Sequence, residues 1–132
     1  MQHAIQEINH AFTEIYNKGE ERIMEKENLE ALYEVVLDRK KNGEEGSYTK
    51  YLFDKGLDKI LKKVGEECTE VVIASKNDNQ EELVGEICDL AYHVLVLMAE
   101  RNVPMDAIKE ELGKRRAKIN NFKGERREIK NV

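Results

Sequence analysis

Residues 57–99, LDKILKKVGEECTEVVIASK-NDN-QEELVGEICDLAYHVLVLMA, carry the pattern on which the fold turns. From Leu57 to Lys76 the positions Leu57, Leu61, Val64, Cys68, Val71 and Ser75 advance by fours and threes, the step of one face of an amphipathic helix. Asn77-Asp78-Asn79 reads as a turn, and Asn79 with Glu82 three residues on resembles a capping box that opens a second helix. Leu83, Ile87, Leu90, Val94 and Leu97 lie along one stripe of that helix. Its second half, Val94 to Ala99, is apolar on every side and must be covered on every side, so burial in an oligomer interface is expected. Glu86, Asp89 and His93 interrupt the run from Leu83 to Met98 and argue against a membrane span.

Each of these two helices carries an acidic pair spaced by three residues, Glu67 with Glu70 and Glu86 with Asp89, so each pair shares one helix face. With Asp78 as the centre of the turn, Glu70 and Glu86 both lie 8 residues from it, and Glu67 and Asp89 both lie 11. At a rise of about 1.5 Å per residue, an antiparallel hairpin therefore sets each acid opposite an acid at the same height, roughly 12 Å from the turn. Glu67 shares its stripe with Ile60, Val64, Val71 and Ala74, and Glu86 shares its own with Leu83 and Leu90, so the acids border the apolar seam. Partly buried carboxylates in such a group need neutralising. Hard oxygen donors without a His–Cys set select Mg²⁺, or Mn²⁺, over zinc. Two other readings fit the same acids: a solvated acidic face, and a purely structural metal site.

Working outward, Asn28 to Lys41 repeats Leu29, Leu32, Val35 and Val36 at helical spacing, and Asn42-Gly43 ends it. Glu44 to Thr49 is expected as a polar loop before a short helical turn through Tyr51, Leu52 and Phe53. Pro104 is placed at the first position of a last helix that runs to about Lys118. Residues 1–27 read as a polar helical extension with Ile5, Ile8, Phe12 and Ile15 on one face, and 119–132 as a charged tail. The expectation is an all-α helical bundle over 28–118, completed by dimerisation.

The totals agree with one domain of 132 residues. Aromatic residues at 6%, no Trp and a single Pro argue against a sandwich or barrel. A net charge of −5 argues against a nucleic-acid binder, and an acidic protein that takes an anionic ligand needs cations to hold it. The amino terminus lacks a basic-then-apolar signal pattern, so a cytoplasmic protein is expected. Cys68 and Cys88 have no metal-binding spacing and read as reduced packing residues.

Candidate anion-binding groups are Lys59, Lys62 and Lys63, one to two turns before Glu67, and Arg115 and Arg116 on the last helix; Lys63 and Arg115 lead each set. Helix lysines are also ordinary solvated residues. His93 falls on the face of Glu86 and Asp89, where it either orients water or touches substrate, or else is hydrogen-bonded at an interface. Ser47, Tyr48 and Thr49 precede a helix and offer hydroxyls to a phosphate or a base, and they also read as ordinary capping residues.

Ser47-Tyr48-Thr49, Gly56-Leu57-Asp58-Lys59-Ile60, Lys63-Val64-Gly65-Glu66-Glu67 with Glu70, then Glu86, Asp89-Leu90 and Tyr92-His93 together strongly resemble the phosphoribosyl-ATP pyrophosphohydrolases of histidine biosynthesis. The resemblance runs from about Leu29 to Arg116, within the wider all-α, MazG-like superfamily marked by ExxE followed by ExxD. It implies Glu67, Glu70, Glu86 and Asp89 as metal ligands, with Glu66, Glu67 and Glu70 as the catalytic acids and Glu66 placed to act on water. It also implies Lys63 and Arg115 as basic positions toward substrate, and a homodimer or larger assembly. The implied reaction is Mg²⁺-dependent hydrolysis of phosphoribosyl-ATP between its α- and β-phosphates. A MazG-like house-cleaning (d)NTP pyrophosphohydrolase would share the metal site, and a non-enzymatic helical interaction module would share only the acidic seam.

Overall fold

The computed structural model describes residues 28–118, and they form five helices and no strand. The expected extension over 1–27 and the tail from 119 lie outside the described residues. In chain order the helices are α1 (Leu29–Asn42), α2 (Tyr48–Lys55), α3 (Leu57–Ala74), α4 (Gln80–Glu100) and α5 (Met105–Arg116).

Local chemistry sets each boundary. The Asn28 side chain accepts from the Ala31 amide at 2.8 Å and starts α1. Ser47 caps α2 in the same way through the Lys50 amide, so the helix begins inside the stretch expected as loop. Gly56, at φ 88°, ends α2 and starts α3 with no residue between, a reversal that a side chain would resist. Asn79 accepts from the Glu82 amide at 3.1 Å. Only that half of the capping box forms, because the Glu82 carboxylate takes the Asn77 amide group at 3.4 Å instead. At the far end of α4, Asn102 turns left-handed at φ 55° and lets Val103 N–H reach back to the Met98 carbonyl at 2.8 Å. Pro104 lies one residue before α5 and not at its first position.

The core gathers on the second half of α4. Leu95, Val96, Met98 and Ala99 pack with Tyr33 and Val36 of α1, Leu52 of α2 and Ile60 of α3. This corrects the expectation for Val94 to Ala99: most of that segment is covered by the chain's own helices, and only Val94 stays exposed. Lys40 straps the same end together. Its ammonium donates to the Ala99 carbonyl at 3.0 Å, pairs with Glu100 at 3.6 Å and sits 5.3 Å from the Phe53 ring centre. Tyr33 adds a bond from its hydroxyl to the Val103 carbonyl at 2.6 Å. Cys68 and Cys88 are free and exposed, so the packing role expected for them is not met within the chain. Helix α5 buries no residue.

Candidate metal centre

The turn over residues 75–79 folds α4 back along α3, and this hairpin carries the acids. Glu67 and Asp89 are each 1% exposed and Glu86 is 8% exposed, while Glu70 is partly buried. Oxygens of Glu67, Glu70 and Glu86 lie within 4.8 Å of one another. Asp89 stands close enough for its charge to act on both Glu67 and Glu86. Among the described residues, the buried side-chain oxygens and nitrogens with no hydrogen-bond partner are Glu67 Oε2, Glu70 Oε2, Glu86 Oε2 and Asp89 Oδ1, one from each acid.

Burial of an unpaired carboxylate oxygen is unfavourable, and here the neighbours make it worse. Burial first, then the Glu70 charge, pushes Glu67 up to about 7. Glu86 rises to about 7 through burial and its contact with Glu70. Asp89 is raised too, by burial and then Glu70. The protons concerned belong to the group and not to single residues. A cation among the converging oxygens of Glu67, Glu70 and Glu86 would relieve that cost, and the Asp89 charge acts on the same group. An all-carboxylate set with no sulfur suits Mg²⁺ or Mn²⁺, and Glu67, Glu70, Glu86 and Asp89 are the residues that would hold it.

Lys63 leans over this group. Its ammonium is 3.2 Å from Glu66 Oε2 and 3.9 Å from Glu67 Oε1, on a side chain 18% exposed. Burial works to lower the Lys63 pKa, but the hydrogen bond to Glu66 and the nearby carboxylates outweigh it and hold the ammonium above its ordinary value. Glu66 is held below the usual carboxylate range, first by Lys63 and then by the charges of Lys62 and Lys59. So Glu66 is an ion-paired acid at the rim, unlike the four orphaned acids inside.

His93 is fully buried. One ring nitrogen, Nδ1, lies 2.7 Å from the Asp89 carbonyl, and the other, Nε2, lies 3.2 Å from the Tyr48 hydroxyl. Burial lowers its pKa and keeps the ring neutral. Thr49, also buried, bonds the Tyr92 hydroxyl. Ser47 serves as the cap of α2. Arg115 lies exposed on α5, bonded to Glu111 at 2.7 Å, and the fold does not bring it into the acid group. The sequence offered the Tyr48 hydroxyl to a phosphate or a base, whereas here it meets His93, and it gave Tyr92 no role. Their signal was the adjacency of two hydroxyl-bearing pairs, Tyr48-Thr49 and Tyr92-His93.

A sequence profile described as phosphoribosyl-ATP pyrophosphohydrolase matches residues 29–116. The chain belongs to that family. Among curated relatives, the phosphoribosyl-ATP pyrophosphatase of Listeria monocytogenes is 62% identical over 104 residues, covering 79% of this chain and 99% of the relative. The enzyme of the same name from Clostridium novyi is 60% identical over 104 residues, covering 79% of this chain and 94% of its own. That from Lactiplantibacillus plantarum is 58% identical over 106 residues, covering 80% and 99%. The phosphoribosyl-ATP pyrophosphohydrolase match spans all five described helices, and with them the acid hairpin.

Proposed function

We propose that this chain hydrolyses phosphoribosyl-ATP to phosphoribosyl-AMP and pyrophosphate in histidine biosynthesis. The observation that carries the reading is the set of four orphaned carboxylate oxygens on facing helices. Family membership supports the substrate. Pyrophosphate leaving a triphosphate in one piece requires cleavage between the α- and β-phosphates.

Mg²⁺, or Mn²⁺ in its place, would supply positive charge to the phosphate oxygens and lower the pKa of water. Glu67, Glu70, Glu86 and Asp89 are the residues that would hold the cation. Lys63 stands beside them, where an ammonium can take a phosphate oxygen and offset charge on the departing pyrophosphate. Glu66, ion-paired with Lys63 at the rim, would assist the attacking water. Lys59 adds positive charge on the same side of α3.

The unit we propose is a homodimer. Leu61, Cys68 and Val72 share one strip of α3, and Ile87 and Val94 share one strip of α4; all are exposed. An apolar strip on both arms of a hairpin is suited to a second copy of itself. Among the described residues no helix is long and apolar enough to cross a membrane. Two exposed free thiols suit a reducing compartment, and we place the reaction in the cytoplasm.

The test is pyrophosphate release from phosphoribosyl-ATP, with and without Mg²⁺, against a panel of dNTPs. Release from phosphoribosyl-ATP that needs Mg²⁺ is expected. Preferential release from a dNTP would favour the house-cleaning reading. No release, together with no thermal stabilisation by Mg²⁺, would leave an interaction module.

A further inference from the structure

His93 stands between the two helices that supply the acids. Its Nδ1 is 2.7 Å from the Asp89 carbonyl on α4 and 3.9 Å from Glu67 Oε1 on α3. The ring is therefore hydrogen-bonded within its own helix at Asp89 and packs close to Glu67 of the other arm, beyond hydrogen-bond reach. A carbonyl oxygen can only accept, so Nδ1 carries the proton. In the neutral ring Nε2 is then a lone pair, and the Tyr48 hydroxyl, from α2, donates to it at 3.2 Å. Rotating the imidazole by half a turn would break both bonds. With both nitrogens engaged and the side chain buried, His93 fits the hydrogen-bonded one of the two roles open to it.

We propose that Tyr48 and His93 are positioning residues for the metal centre. The Tyr48 hydroxyl fixes the rotation and tautomer of His93, and the imidazole fixes the separation of Glu67 from the Asp89 turn of α4. The proposal rests on the reading that the four acids hold a divalent cation. It assigns Tyr48, a residue of neither acid-bearing helix, to the quality of that site.

The adjacent pair, Thr49 with Tyr92, supplies an internal control. It ties the same two helices, α2 and α4, together one residue along through its hydroxyls, while the Tyr92 ring meets the His93 ring edge-on at 5.1 Å between centroids, a contact that Tyr92→Phe keeps. If Tyr48 merely docks α2, breaking either pair should have the same effect on the cation. If Tyr48 acts through His93, the two should differ.

The test is Mn²⁺ binding by the full chain without substrate, read from the electron paramagnetic resonance of free Mn²⁺, alongside thermal midpoints in EDTA. Tyr48→Phe and His93→Gln should each weaken Mn²⁺ about tenfold or more, the range seen when groups that orient metal ligands are removed. The double variant should be little worse than either single one, since both break one chain of contacts. Tyr92→Phe should bind within about twofold of wild type even where its midpoint falls. Long-range ¹H–¹⁵N spectra should show His93 as the neutral Nδ1–H tautomer, a population that drops in Tyr48→Phe. Wild-type Mn²⁺ affinity in Tyr48→Phe, or an equal loss in Tyr92→Phe, overturns the proposal. So does a His93→Gln variant with unchanged Mn²⁺ affinity but a raised KM, which would make His93 a substrate contact. Should Tyr48→Phe lose its thermal transition, His93→Gln carries the same measurement. A wild-type chain that binds no Mn²⁺ removes the metal reading itself and the proposal with it.

Discussion

Glu70 illustrates how single residues here work against the fold that holds them. Its charge raises the pKa of Glu67, Glu86 and Asp89, so replacing it by the neutral isostere relieves repulsion while removing a cation ligand. Glu70→Gln is expected to raise the thermal midpoint in EDTA and to lower turnover at least a hundredfold. Asp89→Asn should lose turnover similarly with its helical circular dichroism intact. Retained turnover in either variant would count against the site. The pH dependence follows from the same acids. Burial and mutual repulsion push Glu67 and Glu86, as parts of one group, up to about 7 in the fold, against the ordinary 4.5 in the unfolded chain. Between those limits the folded state binds more protons, so the stability of metal-free protein falls as pH rises through that window. Thermal midpoints in EDTA should drop from pH 5 to pH 7.5, and Mg²⁺ should flatten the slope. At this scale the sequence was informative because spacing and height are properties of a helix, and the four acids follow from them. The role of Glu66 was less legible, because its pairing with Lys63 depends on side-chain direction and exposure that spacing alone does not give.

At the scale of elements, the hairpin depends on where α4 begins. Asn79→Ala removes the acceptor for the Glu82 amide and should cost about 1 kcal/mol in urea unfolding. A change within about 0.2 kcal/mol would show that the turn is set by packing instead. The start of α4 was readable from Asn79 and Glu82 because capping is local chemistry. The cover over Val94–Ala99 was not, since an all-round apolar segment shows that it must be buried without saying what buries it. Here α1 and α2 do so, through Tyr33, Val36 and Leu52. The stripes of Leu61 with Cys68 and of Ile87 with Val94 met the opposite fate: periodicity marked them as one face, but the inward face of each helix is the one that carries the acids. Helix α2 was half-hidden because a Ser-Tyr-Thr run suits a loop as well as a capped first turn.

For the molecule as a whole, the exposed strips carry the proposed dimer. Ile87→Lys places a charge in the proposed self-contact, and sedimentation should then show a monomer where the wild type sediments as a dimer. A wild-type monomer at working concentrations would end the dimer proposal and leave the acid group untouched. The Lys40 strap gathers the ends of α1 and α4 with Phe53 at one pole, and the packed half of α4 lies beside it. The acids sit midway along both helices, between that pole and the turn, where the outer surfaces of both helices are exposed. Breathing motions should therefore be graded along α4: its amides should exchange with deuterium slowly from Leu95 to Ala99 and faster toward Val84. The lightly packed end of the hairpin is then the end at which the proposed nucleotide would meet the protein.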